Sequence, residues 1–194
     1  MDTAGNQEQT ILQVKIKLLG VSKPPVWRRL LLGSEISLEQ LHGVIQVAMG
    51  WWDYHMHVFS TQAGEYGVPD PELGFLDESR MMLSQLLSEP GDQLRYTYDF
   101  GDAWEHEIAL EKVLAVDPEQ LYPTCVAGRG ACPPEDCGGI WGYARLREVL
   151  ADPSDAEHAR MLEWLELESA SDFDAAAFEI AAVNDSLSEL SAVG

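Results

Sequence analysis

Hydrophobic side chains recur at every second position near the start of the chain and at helical spacing near its end. This change of period constrains the fold more than any other feature. Leu12, Val14, Ile16 and Leu18 alternate with Gln13, Lys15 and Lys17, the pattern of a strand with one buried face. Gly20 to Pro25 interrupts it, and Val26 to Leu32 returns as a second strand. Ser37 then opens a helix. Gln40 completes a capping box, Leu38, Leu41, Val44, Ile45 and Ala48 form one apolar stripe, and Gly50 supplies a left-handed end. A third strand is expected over Tyr54 to Ser60, with His55, His57 and Phe59 on one face. A Gly/Pro-rich excursion from Gly64 to Gly74 has room for one brief strand, and Met81 to Ser88 reads as a short helix stopped by Pro90-Gly91. Leu94 to Phe100 and Trp104 to Val113 form the strongest strand pair, joined by a tight turn around Gly101-Asp102.

Past a loop from Tyr122 to Tyr143 the period is helical, over Gly142 to Ala151, Asp155 to Glu168 and Phe173 to Leu190. Strands first and helices last imply an α+β fold: a largely antiparallel sheet, a capping helix after the first two strands, and a C-terminal group of helices. A disordered tail over residues 1–10 and a single domain over 11–194 are expected, the acidic helical part beginning near 142. A hydrophobic content of 46%, with six Trp, six Tyr and five Phe, supplies the core and excludes wholesale disorder. No apolar run reaches the roughly 20 residues that span a bilayer. Met1 to Gln9 lacks the basic and apolar regions of a signal peptide. The expected location is the cytoplasm, with reduced thiols and no membrane partner.

The net charge of −21 is unevenly spread. Residues 151–194 carry eleven Asp/Glu against Arg160 alone, and residues 51–150 carry eighteen against six bases. Residues 11–50 reverse the sign through Lys15, Lys17, Lys23, Arg28 and Arg29. So acidic a chain is repelled by a phosphate backbone, which disfavours duplex DNA and favours a basic protein as partner. The ordinary reading of the acid excess is a solvated surface.

Cys125, Cys132 and Cys137, all the cysteines of the chain, fall within thirteen residues. Thiolates on one tight loop can share a metal, and Zn2+ is the ion they suit, with His57 or His106 as a fourth ligand. Pro133-Pro134 and Gly138-Gly139 would stiffen and turn that loop. The spacing is not that of a zinc ribbon, and three buried inert thiols are the alternative. His55 and His57 form a second candidate, as metal ligands or as cross-sheet hydrogen-bonding groups. Asp99, Asp102, Glu105, His106 and Glu107 form a third within nine residues, able to hold a hard ion or do acid–base work. Alternation puts Glu105 and Glu107 on one face and His106 on the other. Acids on a hairpin are also ordinary surface chemistry. No phosphate-cradling glycine loop, Gly-x-Ser-x-Gly elbow or His-Glu-x-x-His is present.

Three segments carry a family resemblance: Trp52-Asp53-Tyr54-His55-Met56-His57-Val58-Phe59, Tyr96 through Ile108, and Tyr122-Pro123-Thr124-Cys125 through Ala131-Cys132-Pro133-Pro134-Glu135-Asp136-Cys137-Gly138-Gly139-Ile140-Trp141-Gly142-Tyr143. In this order they resemble the plasmid pRiA ORF-three-like family, from about Ile11 to Asn184. That family is similar to insertion-sequence passenger proteins sometimes labelled TnpR, although nothing here looks like resolvase chemistry or a helix-turn-helix. The resemblance also implies that valine can stand at the position of Cys137, which favours Cys125 and Cys132 with histidines as the core of a metal site.

The function expected from these readings is that of a non-catalytic accessory protein of plasmids or mobile elements, a protein-binding module with a Cys/His metal site. The rival is a metal-dependent hydrolase or nuclease with His55, His57, Asp99, Asp102, Glu105 and His106 around one ion.

Overall fold

A computed structural model describes residues 9–193. The alternation around Val14 builds strand β1 (Thr10–Ser22), and β2 (Pro25–Gly33) returns beside it with Lys15 opposite Arg29. The expected tail over 1–10 lies outside the described residues except for Gln9 and Thr10, and Thr10 is already strand. Gly20 does not end β1. It takes a left-handed φ of 78° inside the strand, where the register against β2 shifts, and the chain turns only after Ser22.

Helix α1 (Leu38–Met49) has the capping box of Ser37 and Gln40 and the left-handed Gly50 that the sequence predicts. Strands β3 (His57–Thr61), β4 (Gly64–Gly67) and β5 (Leu76–Asp77) follow, then the one-turn helix α2 (Leu83–Leu86). β3 starts at His57, not Tyr54, so His55 lies on the loop before it. The strongest expected pair forms as β6 (Gln93–Tyr98) and β7 (Trp104–Ala115), antiparallel with Tyr98 opposite Trp104. The tight turn is a five-residue loop, with Asp99 and Ala103 at φ 57° and 53°.

The cysteine segment is not all loop. Thr124–Arg129 is strand β8, and Cys125 pairs with Leu30 of β2. Helices α3 (Gly139–Ala151), α4 (His158–Trp164) and α5 (Ile180–Val193) close the chain. α5 begins seven residues later than its sequence pattern, because residues 173–179 lie across β8 instead.

The eight strands form one sheet in the order β5-β4-β3-β6-β7-β1-β2-β8, antiparallel except for β4 beside β5. One face, with Val14, Ile16, Leu30, Tyr96 and Ile108, packs on Leu41 and Ile45 of α1, on Leu146 of α3 and on Leu187 of α5. On the solvent face, cross-strand pairs such as Arg29–Glu111 and Arg95–Glu107 alternate with these. Arg28 breaks the pattern by pointing inward. Its guanidinium donates to the carbonyls of Ala48 at 2.8 Å, Trp27 at 2.9 Å and Arg129 at 3.1 Å, and stacks 4.5 Å from the Phe178 ring.

β8 is a sheet edge, and the C-terminal segment covers it. Asn184 stands in for a missing strand: its Oδ1 accepts from Cys125 N at 2.7 Å and its Nδ2 donates to Cys125 O at 3.0 Å. Phe178 lies so close over Gly128 that no Cβ would fit. Replacing Asn184 by Leu removes both bonds and leaves two backbone groups under α5 unpaired. The expected cost is about 2 kcal/mol in urea denaturation, with faster hydrogen exchange at the Cys125 amide. Unchanged stability and exchange would show that water satisfies this edge.

Candidate functional site

A layer of rings forms the floor of the site. Trp51 stacks on Tyr98 at 5.0 Å, tilts against Trp104 at 6.1 Å and meets His106 edge-on at 5.4 Å. Its indole N–H donates to Pro133 O at 3.0 Å, which draws the cysteine segment onto the layer. Glu135 then ties three loops. One carboxylate oxygen accepts from the Tyr98 hydroxyl, the other from Trp52 N at 3.1 Å, and Tyr98 itself accepts from Tyr54 N at 3.0 Å. Burial, and then the hydrogen bond to Glu135, hold the Tyr98 phenol far above its ordinary range, so it remains a proton donor. Asp102 Oδ2 accepts from Gly138 N at 3.1 Å, and Asp99 N donates to Met56 O at 2.8 Å. Gly139, at φ 65°, packs its α-carbon so tightly on the Asp102 backbone that a side chain has no room. The loops over residues 51–56, 99–103 and 133–139 are thereby locked together.

Two groups of candidate ligand atoms, each within 4.8 Å of one another, occur among the described residues, and both sit at this junction. The first joins His42, Asp53 and His57, with the imidazoles stacked 3.4 Å apart. Its hydrogen bonds close on themselves. Gln46 Nε2 donates to the Tyr96 hydroxyl at 2.9 Å, so that hydroxyl is free to donate to His42 Nδ1 at 2.8 Å. The His42 proton is thus on Nε2, facing Asp53 Oδ1 at 2.7 Å, and Asp53 N returns to Gln46 Oε1 at 3.2 Å. His57 Nε2 meets the buried Glu78 carboxylate at 2.8 Å. Burial, and then the neighbouring His57, push the His42 pKa down, with Asp53 opposing.

The second group joins His55, Asp99 and Asp136, one from each locked loop. His55 Nε2 lies 3.2 Å from Asp136 Oδ1 and 3.7 Å from Asp99 Oδ2, in hydrogen-bond geometry with neither, although that nitrogen is closed off from solvent. All the aspartates of the two groups, Asp53, Asp99 and Asp136, have φ 57°, a left-handed conformation that aspartate tolerates better than most residues.

The structure redistributes the expected site residues. Cys125, Cys132 and Cys137 are free thiols, and none joins a ligand group with His57 or His106. Burial raises all three thiol pKa values, Cys137 to about 12 with help from Asp102 and Asp136, so they are protonated near neutrality. His55 and His57 part into different groups because the strand starts between them. His55 and Asp99 do meet. Asp102 serves as a loop tie, and Glu105 points from the solvent face, opposite Trp104 and His106. His106 is fully buried under Trp51 and Tyr96, with no hydrogen-bond partner for either ring nitrogen. The Trp104 and Tyr96 backbones lie near enough only to favour its proton weakly. Sequence reasoning missed His42, Asp53, Glu78 and Asp136. The first had a signal: His42 and Gln46, four apart, both fall on the buried stripe of α1, where a polar pair needs partners.

Comparison with known proteins gives concordant relatives. The family described as plasmid pRiA4b ORF-3-like protein matches residues 10–182. The uncharacterized protein y4hQ of Sinorhizobium fredii (strain NBRC 101917 / NGR234) is 38% identical over 187 residues, which cover 94% of this chain and 93% of the relative. The crystal structure of the protein of unknown function MM3350 from Methanosarcina mazei Go1 superposes with a TM-score of 0.79 at 32% identity, covering 89% of this chain and 97% of that one.

His106 makes the ring layer sensitive to acid. Burial lowers its pKa from 6.5 to about 4, so unfolding takes up a proton between those values. Its contribution is complete above about pH 6.5 and is lost as pH falls to about 4, a span worth about 3 kcal/mol. His42, shifted the same way, adds to the slope. Urea denaturation from pH 7 to 4 should show this decline, and His106→Leu should flatten it. An equal slope in the variant would assign acid sensitivity elsewhere.

Proposed function

The chain belongs to the plasmid pRiA4b ORF-3-like family, and from that premise we propose that it is a non-catalytic accessory protein that works by binding a basic protein. The observation that carries this reading is the exposure of large aromatic side chains at the locked junction, two on the loop before β3 and one in the first turn of α3. Trp141 is 86% exposed, and Trp52 and Tyr54 are each 73% exposed. The backbones of Trp52 and Tyr54 are held by Glu135 and Tyr98, and Asp102 holds Gly138 at the start of the helix that carries Trp141, so little ordering entropy opposes docking there. Trp and Tyr are the residues most often found at energetic centres of protein interfaces.

Charge selects the class of partner. With a net charge of −21 and eleven acids over residues 151–194, the surface attracts cationic proteins and repels phosphate backbones. The cationic stretch of the first strands is weaker than its sequence suggests. Arg28 is buried, Arg29 is held by Glu111 at 2.5 Å, and Lys15 lies over the Trp27 ring. The rival hydrolase loses four of its six groups, because His57, Asp102, Glu105 and His106 take other places.

Capture of proteins from a host extract by immobilised full-length chain, compared with a Trp52→Ala/Trp141→Ala variant, tests the reading. The expected result is a basic protein retained by the parent, released by salt, and bound about 30-fold more weakly by the variant. Labelled duplex DNA near 150 mM salt, where screening acts over roughly 8 Å, should remain unbound. Tight DNA binding, or capture indifferent to both tryptophans, would overturn the proposal.

A further inference from the structure

The two ligand groups differ in a way that bears on metal. Around His42 and His57, hydrogen bonds bind the imidazoles to Asp53, Tyr96 and Glu78. At His55 the ring nitrogen Nε2 is shut away from solvent, aimed between two carboxylates, and bonded to neither. A buried polar atom left unsatisfied costs roughly 1–3 kcal/mol. We propose that His55 Nε2, Asp99 Oδ2 and Asp136 Oδ1 bind one divalent first-row transition ion, of the class of Zn2+ or Mn2+. The proposal is independent of the partner-binding reading.

Spacing, orientation and charge fit. Nitrogen and oxygen ligands about 2.1 Å from an ion stand roughly 3 to 4 Å from one another. The two distances from His55 Nε2 are 3.2 and 3.7 Å, and the three atoms lie within 4.8 Å of one another. Asp99 is buried, and its second oxygen accepts from Gly101 N at 2.8 Å and Asp102 N at 3.3 Å, which turns Oδ2 toward His55. Neither aspartate is paired with a lysine or arginine among the described residues, so two carboxylates and a neutral imidazole offer −2 to a dication. Imidazole in the set favours a first-row ion over Ca2+ or Mg2+. Three protein ligands leave positions for water, on the side where Asp136 is 67% exposed. No cysteine sulfur belongs to the group.

The test uses full-length protein stripped with chelator and titrated calorimetrically with Zn2+ and with Mn2+, with melting followed in parallel. Saturation near one ion per chain and a raised melting temperature are expected. Asp136→Asn and His55→Gln should each weaken binding at least about tenfold. Asparagine accepts the left-handed backbone and position 136 is exposed, so the metal-free Asp136→Asn protein should melt like the parent. A Cys125→Ser/Cys132→Ser/Cys137→Ser variant should keep its affinity, and bound Co2+ should show no thiolate charge-transfer band. Absence of binding by the parent, undiminished binding by Asp136→Asn, or a thiolate band from Co2+ would each overturn the proposal.

Discussion

The junction of the three loops rests on the ring layer in which Trp51 is the hub. Its indole contacts Tyr98, Trp104 and His106, residues of the β6–β7 pair, and its N–H reaches across to Pro133. A large buried aromatic contributes a few kcal/mol through area alone, and its offset and edge-on contacts add specificity of position. Here that specificity is topological. Segments more than eighty residues apart in sequence, the end of α1 and the stretch before α3, are fixed to one hairpin by a single side chain. Glu135 and Asp102 refine that placement, because each carboxylate has partners on a neighbouring loop only once Trp51 has set the distance.

The same layer explains why polar groups can be buried so densely. His42, His57, Tyr96 and Gln46 would each be costly inside a core if left alone. Gln46, Tyr96 and His42 form a circuit in which a donor always meets an acceptor, from Gln46 through the Tyr96 hydroxyl to His42 and Asp53 and back to the Gln46 carbonyl, while His57 pairs with Glu78. His106 stands outside the circuit, packed like an apolar residue and kept neutral by burial. Arg28 is the comparable charge on the same inner face, toward the β8 edge, carried by three carbonyls and an aromatic face rather than by a carboxylate.

Elements whose stability is local were legible in the sequence, and those that depend on distant partners were not. The capping box at Ser37, the Gly50 end of α1 and the pairing of β6 with β7 need only neighbouring residues, and each forms where its pattern lies. Thr124–Arg129 has a strand's existence without a strand's signal. Cys125 alternates with Val126 and Ala127 too briefly to show a period, and its pairing with β2 and Asn184 is tertiary. Residues 173–179 carry a helical pattern but are diverted by Phe178, which fills the space over Gly128 and Arg28. The site was half legible for the same reason. His55 and Asp99 stood out as titratable groups in short dense motifs, whereas the joining of Asp136 to them depends on loops that only the fold brings together.

Charge near the junction acts on two length scales. The acids of residues 151–194 set the long-range field, but at physiological ionic strength that field decays over roughly 8 Å. For the partner proposed above, contact specificity would therefore come from groups at the junction itself, where Trp52 and Tyr54 share a loop with His55, and Trp141 opens α3 a few residues after Asp136. A dication held by His55, Asp99 and Asp136 would cancel their local −2 and leave the aromatic rim around a neutral centre. A basic partner would then be drawn in by the C-terminal helices while its contact with the rim is governed by aromatic packing. Any such coupling is reciprocal: an ion that changes affinity for the partner is itself held with an affinity that the partner changes by the same factor. On the proposed reading, steering and recognition would reside in different parts of the chain and meet at the three locked loops.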